Sequence, residues 1–343
     1  MRVSGLVSLA LAAVPALADS TRGTLGFSLG DKNADGTCKS TSDYEADFDN
    51  LKDLATLVRT YSGTECDTPQ NILPAAKNKG FKVVLGIWVG AQDSGDLSTN
   101  DASFTKDFAA LKQAVPGYED VVEAITVGSE TLYRGDQTGP SLHNYIGLVA
   151  NQFTSITVGT ADSWNKFADG TADDLFTRDT ASAPLVTYVL ANAFAYWQGT
   201  AIDQAYKTYF DDMSGAMTHI QKIAGDNADK IHIINGETGW PTGKIKLKAP
   251  KFVYENFPLT NIFYLDGGTD YEAAIAGTAN AETFWQTGVC GMLAWGVDLF
   301  YFEAFDESWK PDSIGDNGQA SDEKHWGLRT ASRQDKFNTT CAN

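Results

Sequence analysis

The chain has 343 residues, with 44 acidic side chains against 26 basic ones and a formal charge of −18. That balance presents no basic face to nucleic acid or to an anionic membrane, so neither is an expected partner, whereas a neutral polymer would be indifferent to it. The length suffices for one large domain with its own core, and no Pro-, Ser- or Gly-rich linker, low-complexity tail or internal repeat divides it.

At the start, Met1-Arg2 is followed by an apolar stretch, Leu6 to Leu17, and by Ala16-Leu17-Ala18, a small-residue cleavage pattern. Together they predict a signal peptide over 1–18, cleaved before Asp19, and an exported, secreted or wall-associated mature chain of 19–343. A spanning helix would need about 20 apolar residues. Short apolar runs then alternate with amphipathic ones. Strands are expected at Thr24–Leu29, Thr56–Tyr61, Lys82–Trp88, Val122–Val127, Ser155–Thr160, Leu185–Phe194, Lys230–Ile234 and Val289–Gly296. Helical spacing marks Asp43–Ala55, Thr68–Lys79, Ala102–Ala114, Ser141–Phe153, Asp203–Ile223 and Ala279–Thr287, with Tyr206, Phe210, Met213, Met217 and Ile220 as the apolar stripe of the fifth. Strands apolar on both faces, alternating with helices, point to parallel βα units. Eight of them predict a single-domain α/β protein of the (β/α)8 TIM-barrel class. A doubly wound open sheet is the alternative, but no G-x-G-x-x-G follows the first strand.

Four cysteines, Cys38, Cys66, Cys290 and Cys341, form an even set in an oxidising compartment, and two disulfides are expected. Three pairings are open. Cys38–Cys66 with Cys290–Cys341 is favoured, as each joins segments expected to lie close. No C-x-x-C pair supports zinc instead. Asn338-Thr339-Thr340 is a sequon, so Asn338 is a candidate glycan acceptor.

Chemistry in such a barrel sits at the C-terminal ends of the strands. The fourth run ends in Val127-Gly128-Ser129-Glu130 and the seventh leads into Gly236-Glu237-Thr238-Gly239-Trp240-Pro241-Thr242. A lone strand-end Glu is ordinarily a surface carboxylate or half of an ion pair. Two of them, on strands that face each other across the mouth, supply what glycosidic cleavage requires. One acid protonates the leaving oxygen, and a second carboxylate, roughly 5–5.5 Å away in retaining enzymes, attacks the anomeric carbon.

At these residues the sequence resembles glycoside hydrolase family 17, which includes plant and fungal β-1,3-glucanases and fungal wall glucanosyltransferases. Gly236–Thr242 resembles its nucleophile motif and Val127–Glu130 its acid/base motif. The resemblance implies a (β/α)8 barrel without cofactor, retention of configuration, Glu130 as acid/base and Glu237 as nucleophile. It extends to Arg59-Thr60-Tyr61, in which Tyr61 would touch sugar, and to Asn192–Trp197, in which Asn192 and Tyr196 would. It also reaches Phe305–Lys310, in which Glu307 and Lys310 would bond near the nucleophile. Ser129 stands where the wider clan has an Asn that holds the sugar 2-hydroxyl; Ser can still donate and accept. Tyr133 and Trp240, with Trp88, Trp295 and Trp309, lie near expected strand ends, where flat rings can support sugar faces. The expected partner is β-1,3-glucan, and a monomer is expected.

Other signals carry less. Asp31–Gly36 copies the first half of a calcium loop, but Ser42 stands where a bidentate Glu is required. The four histidines are scattered, and neither H-E-x-x-H, G-x-S-x-G nor a phosphate loop is present; no metal is expected. Hydrolysis and transfer remain equally open, since both pass through one intermediate. The rival reading is a catalytically silent glucan-binding wall protein on the same barrel.

Overall fold

A computed structural model describes residues 22–91, 101–243, 270–315, 318, 320–321 and 323–341; the expected signal peptide lies outside these. The strands are β1 (Leu25–Ser28), β2 (Leu57–Arg59), β3 (Lys82–Ile87), β4 (Val122–Ser129), β5 (Thr157–Ser163), β6 (Tyr188–Asn192), β7 (His232–Thr238) and β8 (Leu299–Tyr301). They pair in chain order and close on themselves, β8 against β1, with every pairing parallel. A short hairpin, β9 (Ser313–Ile314) and β10 (Ala320–Ser321), follows the barrel. The helices are α1 (Thr41–Leu51), α2 (Thr68–Lys79), α3 (Ala102–Ala114), α4 (Gly139–Gln152), α5 (Trp164–Ala168), α6 (Asp174–Thr177), α7 (Ile202–Ala224), α8 (Thr278–Phe284) and α9 (Cys290–Ala294). This is the (β/α)8 barrel that the alternation predicts.

Local chemistry explains the helix ends. The Ser40 hydroxyl accepts from the Asp43 amide at the start of α1 while the Asp43 carboxylate accepts from the Ser40 amide at 2.8 Å, a reciprocal cap. Asp101 accepts from the Phe104 amide at 2.7 Å and starts α3. Gly80, at φ +73°, ends α2 in the left-handed conformation that a side chain disfavours.

Two apolar layers hold the barrel. Val84, Ala124, Ala161, Tyr188, Leu190, Ile234 and Phe300 pack as one cluster, and a far larger cluster joins strands to helices. Within the sheet, a Cβ on Gly159 would meet the Tyr188 carbonyl at 1.8 Å, so glycine is required where these strands meet.

The eighth strand corrects the sequence reading. Val289–Gly296 is not a strand: Trp285–Val289 is a π-helical turn, α9 follows, and β8 is the three-residue Leu299–Tyr301. Uniformly apolar runs suit a buried helix as well as a buried strand. Trp295 therefore lies beyond a helix rather than inside a strand, 47% exposed and stacked on Phe210. The stripe of α7 also differs: Ala205, Tyr209, Met213, Ala216 and Ile220 are buried, whereas Tyr206 is exposed.

Disulfides join Cys38 to Cys66 and Cys290 to Cys341, the favoured pairing. Beside the second, Trp285 Nε1 donates to the Thr339 carbonyl at 3.0 Å and Gln286 Nε2 to that of Thr340 at 2.9 Å. Asn338 is exposed there. Among the described residues no helix is long and apolar enough to cross a membrane.

Candidate active site

Register brings four strand ends together. Ser129 of β4 lies opposite Ala161 of β5, Ser163 of β5 opposite Asn192 of β6, and Asn192 opposite Glu237 of β7. Each of the β4–β5 and β6–β7 ladders shifts register just before its end, so one strand carries an extra residue. Such bulges re-aim side chains. In β4 the irregularity contains Gly128, at φ +79°, and is followed by Glu130, itself at φ +54°.

Arg59 reaches this cluster from β2. It is fully buried; its Nη1 donates to Glu237 Oε1 and to the Gly236 carbonyl, both at 2.9 Å, and its Nη2 to Ser129 Oγ at 3.1 Å. Asn192, 1% exposed, donates from Nδ2 to Glu130 Oε1 at 3.0 Å, while its Oδ1 lies 3.5 Å from Arg59 Nη1. A continuous chain of polar groups thus runs Glu237–Arg59–Asn192–Glu130. A Cβ on Gly236 would lie 2.6 Å from Asn192 Oδ1, which explains the glycine beside Glu237.

The two carboxyls have different surroundings. Glu130 is partly exposed on the cleft wall, and Glu237 is 8% exposed. Burial pushes the Glu237 carboxyl up to about 7; Arg59 opposes the rise, Glu130 adds to it, and the Tyr61 hydroxyl and Lys310 favour the anion. The Tyr61 hydroxyl donates to Ser28 Oγ at 2.8 Å, and its ring lies 4.8 Å from the Arg59 guanidinium. Lys310 pairs with Glu303 at 2.6 Å and with Glu307 at 2.7 Å. Burial works against the Lys310 charge, but the two carboxylates override it and hold the ammonium protonated. Burial, then repulsion from Glu307, raises Glu303 well above the usual carboxylate range.

A cavity of about 480 Å³ opens over the carboxyls. Glu130, Glu237, Asn192 and Tyr133 line it, with Trp164, Phe194, Trp197 and Phe302 among the rest. A smaller cavity of about 110 Å³ lies beside β1, β2 and β8, lined by Tyr61, Glu307, Lys310 and Trp309 among others. The predicted site residues Glu130, Glu237, Tyr61, Ser129, Tyr133, Asn192, Glu307 and Lys310 therefore gather at one end of the barrel. Tyr196 and Trp240 do not reach the cleft, a correction to their expected sugar contact. Both are 0% exposed and pack edge to face at 5.3 Å. The Tyr196 hydroxyl lies 3.0 Å from Ser321 Oγ, and Trp240 Nε1 donates to the Ile275 carbonyl at 2.9 Å. Both polar tips are satisfied inside, so these rings belong to the core, and Phe194 and Trp197 take the exposed places.

Sequence reasoning missed Arg59, Glu303, Trp164 and Trp197 as site residues. For Arg59 a signal existed: an arginine at the end of an apolar strand run must find a partner once buried. The Arg59–Glu237 pair also sets a measurable pH response. Replacing Arg59 by Met removes the cation that favours the Glu237 anion, so the carboxyl rises further. The acid limb of kcat/KM, which reports groups of the free enzyme, should move to higher pH. A limb at unchanged pH would show that Arg59 does not act on Glu237.

Residues 26–327 match the family described as the BtgE/BtgC glycoside hydrolase domain. The chain is 54% identical over 341 residues to a glucan 1,3-β-glucosidase of Arthroderma benhamiae, covering 99% of this chain and 98% of that one. It is 36% identical to a glucan 1,3-β-glucosidase of Saccharomyces cerevisiae, over 94% and 92% of the two chains. In fold it resembles the glycoside hydrolase family 17 β-1,3-glucanosyltransferase of Rhizomucor miehei, with a TM-score of 0.70 and 24% identity over 93% and 98% of the two chains.

Proposed function

Because this chain belongs to the BtgE/BtgC glycoside hydrolase family, we propose that it remodels β-1,3-glucan by a retaining double displacement. The observation that carries the proposal is the convergence of Glu130 and Glu237 on one cavity, bridged by Asn192 and Arg59.

The chemistry follows from the surroundings. With glucan in the cleft, Glu130 gives its proton to the glycosidic oxygen while Glu237 attacks the anomeric carbon from the opposite face. The C–O bond to the leaving chain breaks and a glycosyl ester forms on Glu237. Arg59 holds Oε1, so Oε2 is the attacking oxygen. Attack requires the Glu237 anion; burial works against it and raises the pKa to about 7, while Arg59, the Tyr61 hydroxyl and Lys310 favour the charged form. In the second step Glu130 takes a proton from the incoming hydroxyl, which attacks the same carbon and frees Glu237. Configuration is inverted twice and therefore retained.

The incoming hydroxyl decides between hydrolysis and transfer. Trp164, Trp197, Phe194 and Phe302 line the cleft around Glu130 and Glu237. Flat rings among the polar lining can seat the face of a sugar acceptor, which favours transfer at high glucan concentration. Tyr133 stands beside Glu130 on the same wall. The −18 charge is no obstacle to a neutral polymer. Export to the wall fits this substrate, with the segment 1–18 as leader and Asn338 as an exposed glycan acceptor.

Linear β-1,3-gluco-oligosaccharides followed by mass spectrometry and anomeric NMR test the reading. Products longer than the substrate mark transfer, and shorter products released as the β-anomer mark hydrolysis. Binding without turnover would replace the proposal with the silent-barrel reading.

A further inference from the structure

The turn that carries Glu130 is held from the neighbouring strand. Glu130 adopts φ +54°, a conformation that a non-glycine side chain rarely takes, two residues after Gly128 at φ +79°. Such a turn persists only where its surroundings over-determine it. The Glu130 amide donates to the Ala161 carbonyl at 3.0 Å. Arg134 Nη1 also donates to the Ser129 carbonyl at 2.7 Å, and the next residue of β5, Asp162, takes the amides that follow Glu130. Its Oδ2 accepts from the Leu132 amide at 2.7 Å, and its Oδ1 accepts from the Tyr133 amide at 3.1 Å and from the Ser163 amide at 2.8 Å. Both oxygens thus cap the start of the turn 131–135, as a helix N-cap would, but from another strand.

Asp162 is 0% exposed, and none of the ion pairs among the described residues includes it. Burial lifts its carboxyl to about 7, opposed by the Leu132 and Ser163 amides, while Glu130 repels it. A buried carboxylate without a cation is costly; packing alone would be served better by Asn or Leu. Its acceptor oxygens are taken by backbone donors rather than offered to the cleft.

We propose that Asp162 is a positioning residue for the acid/base carboxyl, fixing through the Leu132 and Tyr133 amides the strained turn that aims Glu130 at the glycosidic oxygen. The proposal rests on Glu130 being the acid/base. Asp162 does not touch substrate, so its effect should be confined to the steps in which Glu130 moves a proton. Misplacing such a group by about 1 Å can cost on the order of 10²-fold.

The test separates proton transfer from everything else. Asp162→Asn keeps the shape but sets an amide N–H₂ against a backbone donor. Turnover is measured on a β-1,3-gluco-oligosaccharide, which needs the acid. It is measured again on a dinitrophenyl β-laminaribioside with azide, where the leaving group needs no proton and the azide needs no base. We expect the variant to lose roughly 10- to 100-fold on the first substrate and to stay within about threefold of wild type on the second. In a Glu130→Ala background, adding Asp162→Asn should then change neither rate. Equal losses on both substrates, or no loss on the oligosaccharide, would overturn the proposal. Should Asp162→Asn not fold, Asp162→Ser, which keeps one acceptor in a smaller volume, is read by the same criteria. If Glu130→Ala alone is not rescued by azide, the acid/base assignment fails first, and that result is distinct from any outcome at Asp162.

Discussion

Glu237→Gln is expected to lower kcat on β-1,3-gluco-oligosaccharides by about 10⁵-fold, the order seen when a covalent nucleophile is lost, in a protein that remains folded. The amide keeps an oxygen for Arg59 Nη1, which now bonds the carboxylate at 2.9 Å, but it cannot form the glycosyl ester. Stability supplies an independent readout. Burial raises the Glu237 pKa from 4.5 to about 7. Between those values the native state holds more proton than the unfolded chain, so wild-type stability falls as pH rises through that window. Glutamine does not titrate. The Tm of Glu237→Gln, compared with wild type, should therefore improve as pH goes from about 4.5 to about 7. A variant with near-normal turnover would remove Glu237 from the mechanism. A Tm difference that does not change with pH would mean the carboxyl is not held up by burial.

The second large effect concerns Glu130. Glu130→Ala should lose about 10³-fold on oligosaccharides, within the usual worth of a general acid. On a dinitrophenyl β-laminaribioside it should still form the glycosyl enzyme, because that leaving group departs without a proton. Azide should then restore turnover and give the β-glycosyl azide, since it attacks the ester on Glu237 without needing a base. Absence of rescue, or equal losses on the two substrates, would contradict the acid/base role.

Much of the architecture was legible because burial on both faces of a parallel strand leaves an uninterrupted apolar run. Seven strands were found this way. The eighth was not, because Val289–Gly296 is apolar for a different reason: its centre is the short helix α9, which buries Cys290, Met292 and Leu293, while the true strand, Leu299–Tyr301, is only three residues long. Three strands run on beyond the expected ends, β4 to Ser129 among them. β5 runs on to Ser163 and β7 to Thr238, past the polar residues Asp162, Asn235 and Glu237, which follow the apolar runs. They remain in the sheet because partners elsewhere in the barrel satisfy them: Tyr209 of α7 and the Ala191 carbonyl of β6 for Asn235, amides of the turn after β4 for Asp162, and Arg59 of β2 for Glu237.

The site was legible where chemistry demands a local pattern, as at Gly128-Ser129-Glu130 and Gly236-Glu237. It was illegible where the demand is met across the barrel. Nothing near Arg59 in the chain announces Glu237, 178 residues away. Aromatic residues show the same limit. Tyr196 and Trp197 are neighbours, yet only Trp197 lines the cleft while Tyr196 is sealed in the core. Composition supplies the rings, and only packing decides which of them face sugar.

On this mechanism Glu237 becomes covalently glycosylated. The most direct test is incubation with a 2-deoxy-2-fluoro-β-laminaribiosyl fluoride, which forms the intermediate but releases it slowly, followed by peptide mass spectrometry. One added fluoroglycosyl unit is expected on the peptide containing Glu237, and none in Glu237→Gln. A label on another carboxylate, or turnover of natural substrate to the α-anomer with no label, would contradict the mechanism.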